Sequence, residues 1–206
     1  MFSRLPRIAA CLQFIITASY INVSATGEPG LEDRDLFIGI LRRLLKAEEK
    51  PGPGKAQPGL EVEQVDVDSP HGIYKYSREK GRWVLEWVDE DDFTQRLEPG
   101  NYVVYFDNAK CPACRVYDMY WYPFVKLIGD TYPCTYLIAL CNWFSRDCNS
   151  NAASKAFEKF DVHASPTTLI MTVDSEKRVA RSRKIEGVKR MDELARSIEE
   201  YLSSPG

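Results

Sequence analysis

The residues whose types and spacing suit chemistry fall in one short run, Asp107-Asn108-Ala109-Lys110-Cys111-Pro112-Ala113-Cys114-Arg115. Two thiols three residues apart fit a redox disulfide, one knuckle of a zinc site, or two core cysteines. The spacing alone does not separate these. A structural zinc needs four ligands, and the remaining candidates, Cys134, Cys141, Cys148, His71 and His163, form no second C-x-x-C or H-x-x-x-H pair. No metal and no bound cofactor is therefore expected. His71 and His163 have no evident partner in the sequence and stay outside the expected site.

The elements that must position the thiols are readable from pattern. Tyr102 to Phe106 is a short apolar run that suits a buried strand, and the C-x-x-C opens a helical stretch that continues through Ile128. Within it Tyr117, Tyr120, Trp121 and Phe124 recur as a helix's buried side, and Pro123 predicts a kink. Cys134 to Cys141 is a second apolar run. Ala152 to Phe160 predicts a helix, Thr167 to Val173 a strand and Arg178 to Ile185 another after a turn. The last helix aligns Met191, Leu194, Ala195, Ile198 and Leu202. Upstream, Gly72 to Tyr76 and Arg82 to Val88 predict a hairpin around Glu79-Lys80-Gly81. The acidic start of Asp89 to Leu97 predicts a helix stopped by Pro99-Gly100. From residue 82 the expected order is β-α-β-α-β-α-β-β-α, an α/β mixed sheet covered on both faces.

In this order the sequence resembles the thioredoxin family: the C-x-x-C lies between a buried strand and a helix, Ser165-Pro166-Thr167 begins the next-to-last strand, and Gly187 precedes the closing helix. The resemblance covers about residues 82–203 as a match of element order. It implies a thioredoxin-like fold, a central mixed sheet flanked by helices, here with an N-terminal helical extension. It also implies a cis Ser165-Pro166 bond facing the thiols, with the Ser165 backbone open to an extended substrate. Cys111, at the first turn of a helix, is expected to be the attacking thiolate, aided by the positive neighbours Lys110 and Arg115. Cys114 is expected to be the resolving thiol. Two features depart from the family. Tyr105 stands where many thioredoxins have a buried Asp, which leaves Asp107 as the closest carboxylate in sequence. Lys110 replaces the usual Trp. The segment Cys141-Asn142-Trp143-Phe144-Ser145-Arg146-Asp147-Cys148 sits where the family has a short loop. A second disulfide, Cys141 to Cys148, is the favoured reading, with reduced thiols or a second redox pair as alternatives. Cys134 remains as a buried small residue.

The chain has 206 residues, 44% of them hydrophobic and 28% charged, which suits a globular protein. Its formal charge of -3 gives no general attraction for nucleic acid. Residues 1–25 read as a signal peptide or membrane anchor: Arg4 and Arg7, an apolar run from Ile8 to Ile21, then Val23-Ser24-Ala25. Membrane association would act through residues 8–25. Without Arg4 and Arg7, 25 basic residues face 30 acidic ones, a formal charge of -5. Either reading puts the body outside the cytoplasm, in a secreted, luminal or periplasm-like setting where disulfides form. Residues 26–59 read as an amphipathic helix over 31–50 followed by a Pro/Gly linker, residues 60–81 as a strand-like extension, and residues 82–206 as the thioredoxin-like domain. The expected function is dithiol-disulfide exchange on protein thiols or disulfides, together with a redox partner protein. The alternative is a non-catalytic binding module with a structural Cys111-Cys114 disulfide.

Overall fold

Strand β4, Gly100–Asn108, is an interior strand of the sheet, paired on both sides. Its apolar residues run from Tyr102 to Phe106 without alternation, as in a strand covered on both faces. The computed structural model describes residues 57–204, which fall in the unit Pro53–Gly206. The expected signal or anchor and the amphipathic helix at 31–50 lie outside the described residues.

The remaining strands are β1 (Glu61–Val62), β2 (Gly72–Ser77), β3 (Arg82–Trp87), β5 (Cys134–Cys141), β6 (Thr167–Val173) and β7 (Val179–Glu186). They form one sheet in the order β1-β3-β2-β5-β4-β6-β7. β4 and β5 run parallel, in register from Asn101 opposite Cys134 to Asn108 opposite Cys141; the other pairings are antiparallel. Helix α1 (Pro112–Leu127) makes the crossover from β4 to β5, α2 (Asn151–Lys159) follows β5, and α3 (Met191–Ser203) closes the chain. This is a thioredoxin-like fold.

Alternation along β4 divides the core into two layers. Val103 and Tyr105 point to the layer shared with Tyr117, Trp121, Leu194 and Ile198 of α1 and α3. Tyr102, Val104 and Phe106 point to the layer shared with Ala152, Ala156 and Phe157 of α2. The sequence supports each helix locally. Pro112 occupies the first turn of α1, where its missing N–H is no loss. Ser150 caps α2 by accepting from the Ala153 N–H at 3.1 Å. Glu193 reaches back to accept from the Arg190 N–H at 2.8 Å at the start of α3. Pro123 lies inside α1 and removes one backbone donor there.

Two sequence expectations differ from the structure. The helix over Asp89 to Leu97 is a single 3-10 turn, Phe93–Arg96, because the Asp92 side chain caps it and Leu97 is already extended. The division at residue 82 passes through a hairpin. β2 lies between β3 and β5 and bonds to both, so residues 72–77 are an interior strand of the sheet and no appendage. The turn that joins β2 to β3 uses Gly81 at φ +62, as expected for a Gly in a tight turn.

Gly72 shows how closely this hairpin packs. A Cβ there would lie 2.9 Å from the Trp87 carbonyl oxygen and against the Leu85 side chain. The carbonyl belongs to the sheet backbone and has little room to yield. Gly72→Ala is therefore expected to lower stability by about 1–3 kcal/mol, measured by urea unfolding.

Candidate functional site

The site grows from the C-terminal ends of the two parallel strands. Beyond Asn108 the chain remains tied to β5: the Ala109 N–H donates to the Cys141 carbonyl at 2.9 Å, and the Lys110 N–H to the Asn142 carbonyl at 3.2 Å. Cys111 is then the N-cap of α1, in extended conformation and with no side-chain cap of its own. Its sulfur sits at the positive end of the helix. Cys111 is 6% exposed and Cys114 fully buried, and both are free thiols.

Both sulfurs meet the segment before β6. Ser165-Pro166 is a cis peptide. Cys111 Sγ lies 3.6 Å from the Ser165 carbonyl oxygen, and Cys114 Sγ lies 2.9 Å from Ser165 Oγ. Four residues named from sequence, Cys111, Cys114, Ser165 and Pro166, are thus brought together.

Lys110 and Arg115 are placed differently from expectation. The Lys110 ammonium pairs with Asp147 at 2.6 Å, on the segment between Cys141 and Cys148. The Arg115 guanidinium pairs with Asp107 and, at 3.2 Å, with Asp118. Both cations are therefore partnered by carboxylates, and their positive potential at Cys111 is correspondingly reduced.

Beneath Cys114 lies a buried polar cluster. Asp107 is fully buried and, two residues after Tyr105 on the strand, points to the same face of the sheet. Its Oδ2 has no hydrogen-bond partner. Tyr105 Oη lies 3.2 Å from Asp107 Oδ1, 3.1 Å from Asp118 Oδ1 and 3.3 Å from the Cys114 carbonyl oxygen. Burial, and then the charge of Asp107, push the Cys114 thiol up to about 12. Burial also raises Asp107, against the pull of Arg115. Asp118 is raised to about 7 by burial and by the charge of Asp107. Cys114 is thus held as a protonated thiol at neutral pH.

Sequence reasoning did not single out Asp118 or give Tyr105 a role. The available signal was spacing: Asp118 is four residues after Cys114 and three after Arg115, so all three share one side of α1. Tyr105 and Asp107 are two apart on a strand and share a face.

The Cys141-Cys148 disulfide is present, with Cα atoms 4.7 Å apart. It belongs to the α2 side of the sheet, whereas Cys111 and Cys114 belong to the α1 side. Asn108 Oδ1 accepts from the Phe144 N–H at 2.6 Å, and His71, buried and not isolated as its sequence context suggested, accepts from the Asn149 N–H at 2.8 Å through Nδ1. Phe144 adopts φ 51. The disulfide closes a loop already bonded to the segment that leads into Cys111. Cys134 is buried and free, with its thiol raised to about 11 by burial. Among the described residues, no group of three or more His, Cys, Asp or Glu side chains is arranged to hold a metal ion, and no helix is long and apolar enough to cross a membrane.

No protein-family model matches the chain, and no curated protein matches it. Among solved structures it is similar to thioredoxin from Aeropyrum pernix, at 14% identity and a TM-score of 0.46, over 66% of this chain and 98% of that one. It is also similar to oxidised thioredoxin O2 from Arabidopsis thaliana, at 20% identity and a TM-score of 0.38, over 55% of this chain and 92% of that one. The fold assignment stands on the strand order and connections described above.

Two outcomes follow from these environments. Between the ordinary carboxylate range and about pH 7 the folded protein holds a proton on Asp118 that the unfolded chain has released. This stabilisation is present on the acid side and is lost as pH rises through about 7. Asp147 and Asp174, lowered chiefly by hydrogen bonds from Lys110 and from the Arg178 backbone, act further to the acid side. Urea unfolding of the wild type should show stability falling from about pH 5 to about pH 8, and Asp118→Asn should flatten that slope. Separately, replacing Cys141 and Cys148 together by Ala should lower stability by about 2 kcal/mol, the low end for so short a loop.

Proposed function

We propose that this protein is a thiol-disulfide oxidoreductase that acts on the cysteines of other proteins outside the cytoplasm. The observation that carries the reading is the convergence of both C-x-x-C sulfurs on Ser165, one on its carbonyl oxygen and one on its hydroxyl. The extracytoplasmic setting rests on the reading of residues 1–25 as an export signal or anchor, and the Cys141-Cys148 bridge suits it.

Cys111, at the open end of α1, is the attacking sulfur. Its thiolate displaces one sulfur of a substrate disulfide and forms a mixed disulfide. Cys114 then attacks Cys111, the substrate leaves as a dithiol, and a Cys111-Cys114 disulfide remains. The reverse sequence oxidises a substrate dithiol. Ser165, beside the sulfurs, offers backbone against which an extended substrate segment can lie. No bound cofactor enters these steps, and a redox partner protein would restore the starting state.

The test is trapping. Cys114→Ser removes the resolving thiol, so mixed disulfides between Cys111 and substrate proteins should accumulate and appear on non-reducing gels. Cys111→Ser should abolish them. A wild-type Cys111-Cys114 disulfide with a potential below about -300 mV, with no trapped partner, would favour the non-catalytic binding module instead.

A further inference from the structure

A lone exposed apolar side chain needs no special account, but Trp143 sits in a frame that does. It is 45% exposed and is the only exposed Phe, Tyr or Trp among the described residues. The segment that carries it is closed by the Cys141-Cys148 disulfide and tied again within that bridge. Trp143 and Asp147 exchange backbone hydrogen bonds of 3.2 and 3.3 Å, and the Asp147 carbonyl also accepts from the Asn142 N–H at 2.9 Å. From outside, Asn108 holds the Phe144 N–H, and Ser154 Oγ donates to the Ser145 carbonyl at 3.2 Å. Phe144 takes a positive φ of 51, which a bulky residue adopts only where its surroundings impose it. Its ring lies edge-on to Phe157 in the α2 layer, while the Trp143 ring stays exposed against Phe144. Phe144 therefore meets the packing need of the segment, and packing does not call for an indole at 143.

The frame stands beside the first thiol. β5, β4 and β6 are neighbours in the sheet, with Asn108 opposite Cys141 and Phe106 opposite Thr167. The closed segment after β5 and the Ser165-Pro166 turn before β6 therefore flank the start of α1 from opposite sides. The Lys110 N–H, one residue before Cys111, donates to the Asn142 carbonyl, and that carbonyl belongs to the peptide unit that enters Trp143. Lys110 and Asp147, paired at 2.6 Å, close the same edge with their charges matched. Within the closed segment only Trp143 and Arg146 are exposed. Of the two, the indole is large, apolar and stiff, with two torsions to order on contact.

We propose that Trp143 is a specificity-determining residue of the exchange site, which selects protein segments with a large apolar side chain next to the reacting cysteine. The proposal rests on the reading of Cys111 and Cys114 as an exchanging pair. A substrate cysteine bonded to Cys111 lies between the two flanking segments. Its chain runs along the Ser165 backbone on the β6 side, and a neighbouring side chain reaches the indole on the β5 side. An apolar ring there covers the indole and takes both out of water. A small polar neighbour leaves the indole wet. Because the segment is fixed before contact, little loop freedom is lost when the substrate arrives. In the exchange the Cys111 thiolate attacks the substrate sulfur and forms the new S–S bond. The old S–S bond breaks, and the leaving sulfur departs as a thiolate with the electron pair. Trp143 gives and takes no proton; it acts on which substrates come within reach of Cys111.

Two short peptides test this on the full-length protein carrying Cys114→Ser. Each has one cysteine bonded to a coloured aryl thiol, with Phe on both sides of that cysteine in one peptide and Ser in the other. Release of the aryl thiolate reports attack of Cys111 on the peptide sulfur. The rate for the Phe peptide over that for the Ser peptide, divided by the same ratio for dithiothreitol, should be roughly 10. Adding Trp143→Ser should bring this preference to about 1, while Trp143→Phe should keep most of it, since an aromatic partner is restored. Leu127→Ser, at another exposed apolar side chain on the far end of α1, should keep all of it. A preference near 1 with Trp143 in place, or an undiminished one in Trp143→Ser, would overturn the proposal. If the Trp143→Ser protein does not fold, the trapped complex of Cys114→Ser with the Phe peptide decides it by NMR. Contacts between the peptide's Phe rings and the Trp143 indole are expected there, and their absence would overturn the proposal. Absence of aryl thiolate release from both peptides would instead overturn the oxidoreductase reading.

Discussion

The parallel pairing of β4 with β5 is the constraint on which the rest of the structure depends. It brings Asn108 opposite Cys141, so two loops leave the sheet side by side at the same end. One becomes the N-terminus of α1 with its C-x-x-C, and the other becomes the disulfide-closed segment. Backbone bonds from Ala109 and Lys110 to Cys141 and Asn142 continue the ladder past the end of the sheet. The approach to Cys111 is therefore held by sheet hydrogen bonding, where loops that carry a site are commonly more mobile. A parallel pair needs a covering crossover, and α1, which supplies it, is also the element that carries both sulfurs.

Alternation along β4 then assigns chemistry to faces. Tyr105 and Asp107 point to the α1 side and meet Cys114, Arg115 and Asp118. Asn108, one residue on, points the other way and fixes the closed segment through Phe144. The two sulfur pairs are thus separated by the sheet, although they start from neighbouring residues. That arrangement suits different roles: one pair meets the Ser165 segment, while the other fastens a wall beside it. A one-residue slip of β4 would exchange the two faces and place Asp107 in the α2 layer.

Much of this was legible in the sequence, because the deciding patterns are local. Uninterrupted apolar runs marked β4 and β5, the Pro and Cys spacing marked the start of α1, and the seven-residue separation of Cys141 and Cys148 allowed a bridge. The parts that were not legible depend on non-local placement. Period-two patterns identify Gly72 to Ser77 as a strand but do not reveal that it enters the sheet between β3 and β5. Asp89 to Leu97 has a helix-like start, yet an early cap and an extended Leu97 limit it to one turn. Lys110 and Arg115 look like sources of positive potential until their partners, Asp147 and the Asp107-Asp118 pair, are seen.

Tyr105 shows why a missing residue need not mean a missing role. A carboxylate at that strand position would lie beside Asp107 and Asp118, with Arg115 the guanidinium that pairs with both. With a phenol there, Asp107 on the same face and Asp118 on α1 share one neighbour within hydrogen-bond reach of both. Burying two carboxyls together is unfavourable, and a single guanidinium offsets only part of it. What keeps the arrangement tenable is the phenol between them, which can donate to one carboxyl while accepting from the other. The hydrogen bonds of the cluster close only when a proton is shared, and the same burial that makes Cys114 reluctant to ionise also raises Asp107 and Asp118. Reluctant thiol and raised carboxyls thus follow from one packing decision, the placement of α1 over the Tyr105 face of β4.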